Sequence, residues 1–158
     1  MKIETKLEEL GLVLPEPLRM PDGLRLPFAF ARVHVGRVYI AGHGPQAPDG
    51  ALALRGKVGA DVSTEEGYEA ARLTALSILG TLKRELGDLD RVTRWLRVFG
   101  MVNSAPGFTD QPSVINGFSD LILELYGPEA GEHARSAVGM AELPFGIPVE
   151  IEAEIAIA

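Results

Sequence analysis

The stretch "HARSAVGMAELPFGIPVEIEAEIAIA", residues 133–158, decides how this chain folds. Both halves alternate with period two, and successive side chains of a strand point to opposite faces. In the first half Arg135, Ala137 and Gly139 share one face. In the second, Glu150, Glu152 and Glu154 share one face, while Val149, Ile151, Ala153, Ile155 and Ile157 share the other. The intervening "ELPFGIP" carries two prolines and a glycine, which prevents a tight hairpin. Strands are therefore expected over 133–140 and 149–157.

Toward the N-terminus the spacing changes from two to three and four. "VSTEEGYEAARLTALSILGTLKRELGD" opens with a capping box, Ser63 and Glu66, and closes at Gly87. Between them Tyr68, Ala71, Ala75, Leu79, Leu82 and Leu86 make one apolar helical stripe. "RVTRWLRVFGMV", 91–102, reads as a long strand rich in branched and aromatic residues. A second helix follows, with Asp110 as its cap, Pro112 in its first turn, a stripe of Ile115, Phe118, Ile122 and Leu125, and Gly127 as its stop. Two shorter strands, 30–35 and 37–41, are punctuated by Gly36, and "GHGPQAPDGAL" after them is a loop. At the N-terminus, a short helix over 5–10 is stopped by Gly11, and the four prolines of "PEPLRMPDGLRLPFAF" predict an extended surface arm.

No repeat or linker interrupts this order, so the expected class is α+β: a mixed sheet with two main helices on one face. Residues 1–26 form the short helix and arm, and 27–158 the domain. Two helices cover only one side of the sheet. "RVYIA" and "WLRVFGMV" are nonetheless apolar on both sides, so the second face is expected to associate with further copies of the chain.

The chain has 158 residues, enough to bury about two-thirds of its unfolded surface as one domain. Apolar residues make up 46% and charged residues 23%, which is ordinary globular usage. With no cysteine there is no disulfide, thiolate or cysteine metal site. His34, His43 and His133 are scattered without metal-ligand spacing, so no metal site is expected. A net charge of −7 and a pI near 5.0 argue against a nucleic-acid partner. The N-terminus lacks the pattern of a signal peptide and no apolar run is long enough for a membrane span, so the default expectation is cytoplasmic.

Arg135 is the main candidate for chemistry, because a planar five-donor fork among small residues suits a carboxylate. An ion pair with a glutamate of a neighbouring strand fits the same spacing. Glu150 stands nearest the linker, where a partly desolvated carboxylate can place a water or move a proton. Glu152 and Glu154 are better read as a solvated or ion-paired face. His43, in "AGHGP", is placed to reach a ligand, although a lone loop histidine is often merely exposed. His133 points to the same side as Arg135, and Asn116 lies off the main apolar stripe of its helix. The serines form no nucleophile elbow, and there is no phosphate-binding glycine loop.

"RSAVGMAELPFGIPVEIEAEI" resembles the C-terminal signature of the RidA/YjgF family: an arginine strand, Leu-Pro, then an acidic strand. "VGRVYIAGHGP" is similar to that family's first hairpin, and "INGFSDLILELYG" to its second helix. The likeness runs from about residue 27 onward. It is closest to a divergent branch with an N-terminal extension, whose members are often called endoribonuclease L-PSP or chorismate-mutase-like proteins. The resemblance implies a chorismate-mutase-like fold, a homotrimer whose sheets face a central barrel, and ligand clefts between subunits. It further implies cofactor-free hydrolysis of enamines and imines, such as 2-aminoacrylate, to 2-oxo acids and ammonia. Arg135 then clamps the carboxylate of a small metabolite, Glu150 helps position water, and the Ala137 backbone carbonyl assists. His43, Asn116 and Phe28 complete the candidate substrate-binding set, although Asn116 also reads as a plain helix-surface residue. Three positions depart from the family pattern. The usual Tyr falls at Phe28 or Ala29, the Ser-Gly-Gln loop reads Ala41-Gly42-His43, and the common Cys or Thr is Ala137. These losses leave open a non-catalytic trimer that binds 2-oxo acids in the same clefts. An endoribonuclease ranks third, given the acidic balance.

Overall fold

A computed structural model describes all residues, Met1–Ala158. The elements are α1 (Lys2–Glu9), β1 (Ala31–His34), β2 (Arg37–His43), α2 (Thr64–Leu86), β3 (Val92–Asn103), α3 (Gln111–Gly131), β4 (Ala134–Met140) and β5 (Val149–Ile157). The strands make one five-stranded sheet in the order β1-β2-β5-β3-β4. All pairs are antiparallel except β3 with β4, which run parallel and are joined through α3. The last strand thus occupies the centre of the sheet, with hairpin β1-β2 on one side and the β3-α3-β4 unit on the other.

Local chemistry accounts for most of these boundaries. Ser63 and Glu66 form the expected reciprocal cap of α2, each bond 3.1 Å long. Gly87 ends that helix at φ 80, where a Cβ would be strained. Gly127, at φ 75, breaks α3 as predicted, after which a further turn runs to Gly131. Asp110 behaves differently from expectation: its side chain caps no backbone amide and accepts a 2.6 Å bond from Ser113 instead. The first helix, expected over 5–10, instead spans Lys2–Glu9, so that Ile3 and Leu7 are buried. The arm is fastened to loop 45–53, with the Glu16 and Arg19 amides donating to the Pro48 and Gly50 carbonyls.

Helices α2 and α3 pack side by side on one sheet face. Leu79, Leu82, Ile115, Phe118, Ile122 and Leu125 are fully buried there against Val98, Ile151 and Ile155. Trp95 sits edge-on to Phe118 and Tyr126, at 5.8 Å from each ring. The contact between the helices is close enough that a Cβ on Gly117 would overlap the Tyr68 carbonyl oxygen. Tyr68, expected in the α2 stripe, lies at its rim and donates a 2.7 Å hydrogen bond to Asp120. No helix is long and apolar enough to cross a membrane.

The opposite face carries no helix. Register places Tyr39, Phe99 and Met101 there beside Arg97, Glu150, Glu152 and Glu154, with the Arg97 guanidinium 5.7 Å from the Phe99 ring centre. The acidic side of β5 therefore looks away from the helices, as its alternation predicted.

Candidate functional site

Arg135 lies on β4, an edge strand, opposite Val98 of β3 and on the helix-covered face. Its guanidinium reaches α3, where residues 112, 116 and 119 recur at one-turn spacing. Nη1 donates to Asn116 Oδ1 at 2.8 Å and to Ser119 Oγ at 3.1 Å, and Nη2 donates to the Pro112 carbonyl at 3.4 Å. No carboxylate pairs with it. Nη1 thus spends both hydrogens on neutral oxygens, while one hydrogen on Nε and one on Nη2 remain without a protein partner. Burial works against the charge and the nearby Asp120 supports it. The ion-pair alternative for Arg135 is not what the structure contains.

The small residues beside Arg135 have a cause other than room for a ligand. A Cβ on Gly139 would come within 2.8 Å of Gln111 Nε2, and one on Gly100, the cross-strand neighbour of Ala137, within 2.7 Å of the Ile115 side chain. They are small because α3 packs close over this edge. Ala137 is partly buried against the core.

Ser119 was not separable from the other serines by sequence, although its place seven residues after Pro112 and three after Asn116 marks the same helix face. Its Oγ lies 2.9 Å from His133 Nε2, and His133 Nδ1 lies 2.7 Å from the Gly131 carbonyl. Burial lowers the His133 pKa, the Gly131 bond opposes that, and the Arg135 charge adds to the lowering.

Glu150 stands on the other side of the sheet. Its register partner on β3 is Met101, and its Oε2 would be 2.6 Å from a Cβ on Gly42 of β2. Burial and the adjacent Glu152 push its carboxyl above the usual carboxylate range. Such a group holds its proton more tightly than a free glutamate, a direction that favours a part in proton transfer. Within one chain Arg135 and Glu150 therefore do not converge: they occupy opposite faces, and β3 separates their strands.

His43 corrects the picture of an exposed loop residue. It ends β2, beyond a register shift, and only 6% of it is accessible. Nδ1 meets the Ala41 carbonyl at 2.6 Å and Nε2 the Thr81 hydroxyl at 2.9 Å, so both nitrogens are already used. Burial, assisted by the Arg84 charge and opposed by the Ala41 bond, lowers its pKa from 6.5 to about 4. The ring borders a cavity of about 310 Å³ between the arm (Pro17, Leu18), Phe30 and the α2 residues Thr81 and Arg84. Phe28 is 54% exposed and stacks edge-on to Phe30 at 5.6 Å. His43, Gly42 and Phe28 thus lie toward the β1-β2 side, while Arg135 and Asn116 lie at the β4 edge. The six candidate residues therefore fall in three places: Arg135, Asn116 and Ala137 at the β4 edge, His43 and Phe28 beside the arm and α2, and Glu150 on the bare face.

Comparison with known proteins agrees with this architecture. Residues 5–147 match the family model described as "YjgF/chorismate_mutase-like, putative endoribonuclease". Protein TCP17 of Trypanosoma cruzi is 44% identical over 152 residues, 96% of this chain and 92% of that protein. The crystal structure of Atu1372 from Agrobacterium tumefaciens, a protein of unknown function, superposes with a TM-score of 0.88 at 39% identity, covering 99% of this chain and 94% of that one. An endoribonuclease-named protein of Shewanella oneidensis gives a TM-score of 0.89 at 29% identity over 99% of this chain and all of its own. The matched span and these relatives establish that the chain belongs to the YjgF/chorismate mutase-like family.

Proposed function

We propose that the protein is a Rid-type deaminase that hydrolyses enamines and imines of small 2-amino acids to 2-oxo acids and ammonia. The observation that carries this reading is the Arg135 guanidinium: anchored by neutral oxygens, paired with no carboxylate, and left with one hydrogen on Nε and one on Nη2 without a protein partner. Residues on opposite faces of one chain can share a cleft only if a second copy supplies the missing half. The bare sheet face with Tyr39 and Phe99 supports such an assembly, and a trimer is the number typical of the family.

In the proposed cleft, Arg135 of one subunit holds the substrate carboxylate, and Glu150 of the next faces the imine carbon. The iminium form of a 2-imino acid is already electrophilic at C2. Glu150 takes a proton from water as the oxygen adds to C2, giving a carbinolamine. It returns that proton to the nitrogen; as the C–N bond breaks, the hydroxyl oxygen closes the C=O of the 2-oxo acid and its proton passes to the departing ammonia, which leaves as ammonium. An enamine such as 2-aminoacrylate first takes a proton from solvent at C3, which converts it to the iminium form. Neutralising the carboxylate and placing the water are the contributions required of the protein.

The test is to generate 2-aminoacrylate with a dehydratase and follow its decay. Faster decay with wild-type protein, lost in Arg135→Lys, supports the reading, because lysine keeps the charge and removes the fork. Decay unchanged by the protein across several amino-acid-derived imines rejects it. One observation favours a second reading, a non-catalytic binder of 2-oxo acids. Phe28 and Ala41 stand where the family carries Tyr and Ser, so those two hydroxyls are missing. Binding of 2-oxobutyrate that needs Arg135, with no imine turnover, would select it. The net charge of −7 weighs against RNA as the substrate.

A further inference from the structure

We propose that Ser119 and His133 are positioning residues that lock the Arg135 guanidinium in the orientation that presents its unpartnered hydrogens to a carboxylate. The inference rests on the reading of Arg135 as the carboxylate anchor, and it concerns a device that reading does not require.

The argument is one of hydrogen accounting. A carbonyl oxygen only accepts, so the 2.7 Å contact between His133 Nδ1 and the Gly131 carbonyl places a proton on Nδ1. In the neutral ring Nε2 is then an acceptor, and the 2.9 Å contact with Ser119 is the hydroxyl donating to it. A guanidinium only donates, so Arg135 Nη1 gives its hydrogen to Ser119 Oγ at 3.1 Å. Every polar hydrogen in the sequence Arg135, Ser119, His133, Gly131 therefore runs one way and ends on a backbone carbonyl. A serine held by the backbone alone could turn its hydroxyl proton toward Arg135; with His133 taking that proton, the lone pair stays aimed at Nη1. Asn116 fixes the second Nη1 hydrogen at 2.8 Å. With both directions of Nη1 set, the fork cannot rotate about Cζ–Nε without breaking two bonds.

The surroundings keep the imidazole neutral. The Phe118 ring lies edge-on to His133 at 6.2 Å, Arg135 opposes a second positive charge, and Glu132 is the acidic neighbour that favours it. The proton-bearing form would also need Ser119 Oγ to accept from both sides and leave its own hydrogen without this partner. The neutral ring is thus the form that fits the geometry.

The test uses the full chain and 2-oxobutyrate as the probe, with affinity measured by calorimetry at pH 7.5. Ser119→Ala and His133→Phe should each weaken binding about three- to tenfold, the value of one oriented hydrogen bond, with melting temperatures close to wild type. The double variant should be no weaker than either single, because both break the same series of bonds. In an Arg135→Lys background the two substitutions should have no further effect, since an ammonium has no fork to orient. Residues with a merely structural role would give additive losses in both backgrounds, and that result overturns the proposal. A second measurement needs no ligand. Rotation of the Arg135 guanidinium about Cζ–Nε, read by nitrogen NMR, should be slow in wild type and faster in Ser119→Ala and His133→Phe. Equal rates in all three overturn the device even if 2-oxobutyrate binds. Slow rotation in wild type, lost in the variants, combined with no binding of any 2-oxo acid, instead overturns the anchor reading of Arg135.

Discussion

Acid should destabilise this protein through His43. The ring is buried, with Nδ1 against the Ala41 carbonyl and Nε2 against Thr81, and its pKa falls from 6.5 to about 4. The folded protein then takes up this proton less readily than the unfolded chain. The neutral ring's contribution is present in full above pH 6.5 and is lost as the pH falls toward 4. At 1.36 kcal/mol per pKa unit the whole loss is about 3 kcal/mol, and about 2 kcal/mol has gone between pH 7 and pH 5. Other groups titrate as well. His133 acts in the same direction and Glu150 in the opposite one, so the measurement must be a difference. Urea unfolding followed by fluorescence of Trp95, the only tryptophan and a buried one, reports stability at each pH. Run on wild type and His43→Gln at one protein concentration, it should show wild type losing about 2 kcal/mol more than the variant from pH 7 to pH 5. Parallel pH profiles for the two proteins would refute the reasoning: the imidazole would then be hydrated or free to swing out.

Gly117→Ala drives a Cβ into the Tyr68 carbonyl where α2 and α3 touch, so a loss of about 1–3 kcal/mol or more is expected, read by the same urea titration. Asn103→Leu leaves the Ile147 carbonyl and the Lys57 ammonium without their 3.2 and 2.8 Å partners and should cost about 1–3 kcal/mol. Faster backbone hydrogen exchange confined to residues 141–147 would accompany it, and exchange unchanged there would count against the tie. Gly42→Ala tests Glu150 indirectly, since the added methyl would sit 2.6 Å from Oε2 and must displace the carboxylate. Imine turnover should fall at least about tenfold with little change in melting temperature; unaltered turnover would remove Glu150 from the mechanism.

Local patterns carried the secondary structure because the forces behind them are local. The capping box at Ser63, the stops at Gly87 and Gly127 and the alternation of 149–157 each depend on groups within a few residues, and each stands in the structure. Asp110 was misread because a cap depends on side-chain rotamer as well as position, and Ser113 captured its carboxylate. Pairing of distant strands left no comparable mark. Nothing in 149–157 says that it enters the sheet between β2 and β3, since its ladder partners lie tens of residues away.

The site divides along the same line. Residue type alone marked Arg135 and Glu150 as unusual, because charge on an alternating strand must find either water or a partner. Their separation onto opposite sheet faces, the release of Arg135 from any ion pair and its attachment to Asn116 and Ser119 came only from the packing of α3 over β4. The same packing explains Gly139, whose smallness looked like space for a ligand and proves to be clearance for Gln111. His43 shows the limit most plainly: a histidine between glycines reads as exposed, yet the arm and Thr81 of α2 enclose it. The sequence by itself determined which residues carry charge and which face of each element is apolar, because both are properties of a residue and its near neighbours. Tertiary structure alone decided which charges meet, because burial and partner choice depend on chain segments that the local sequence does not contain.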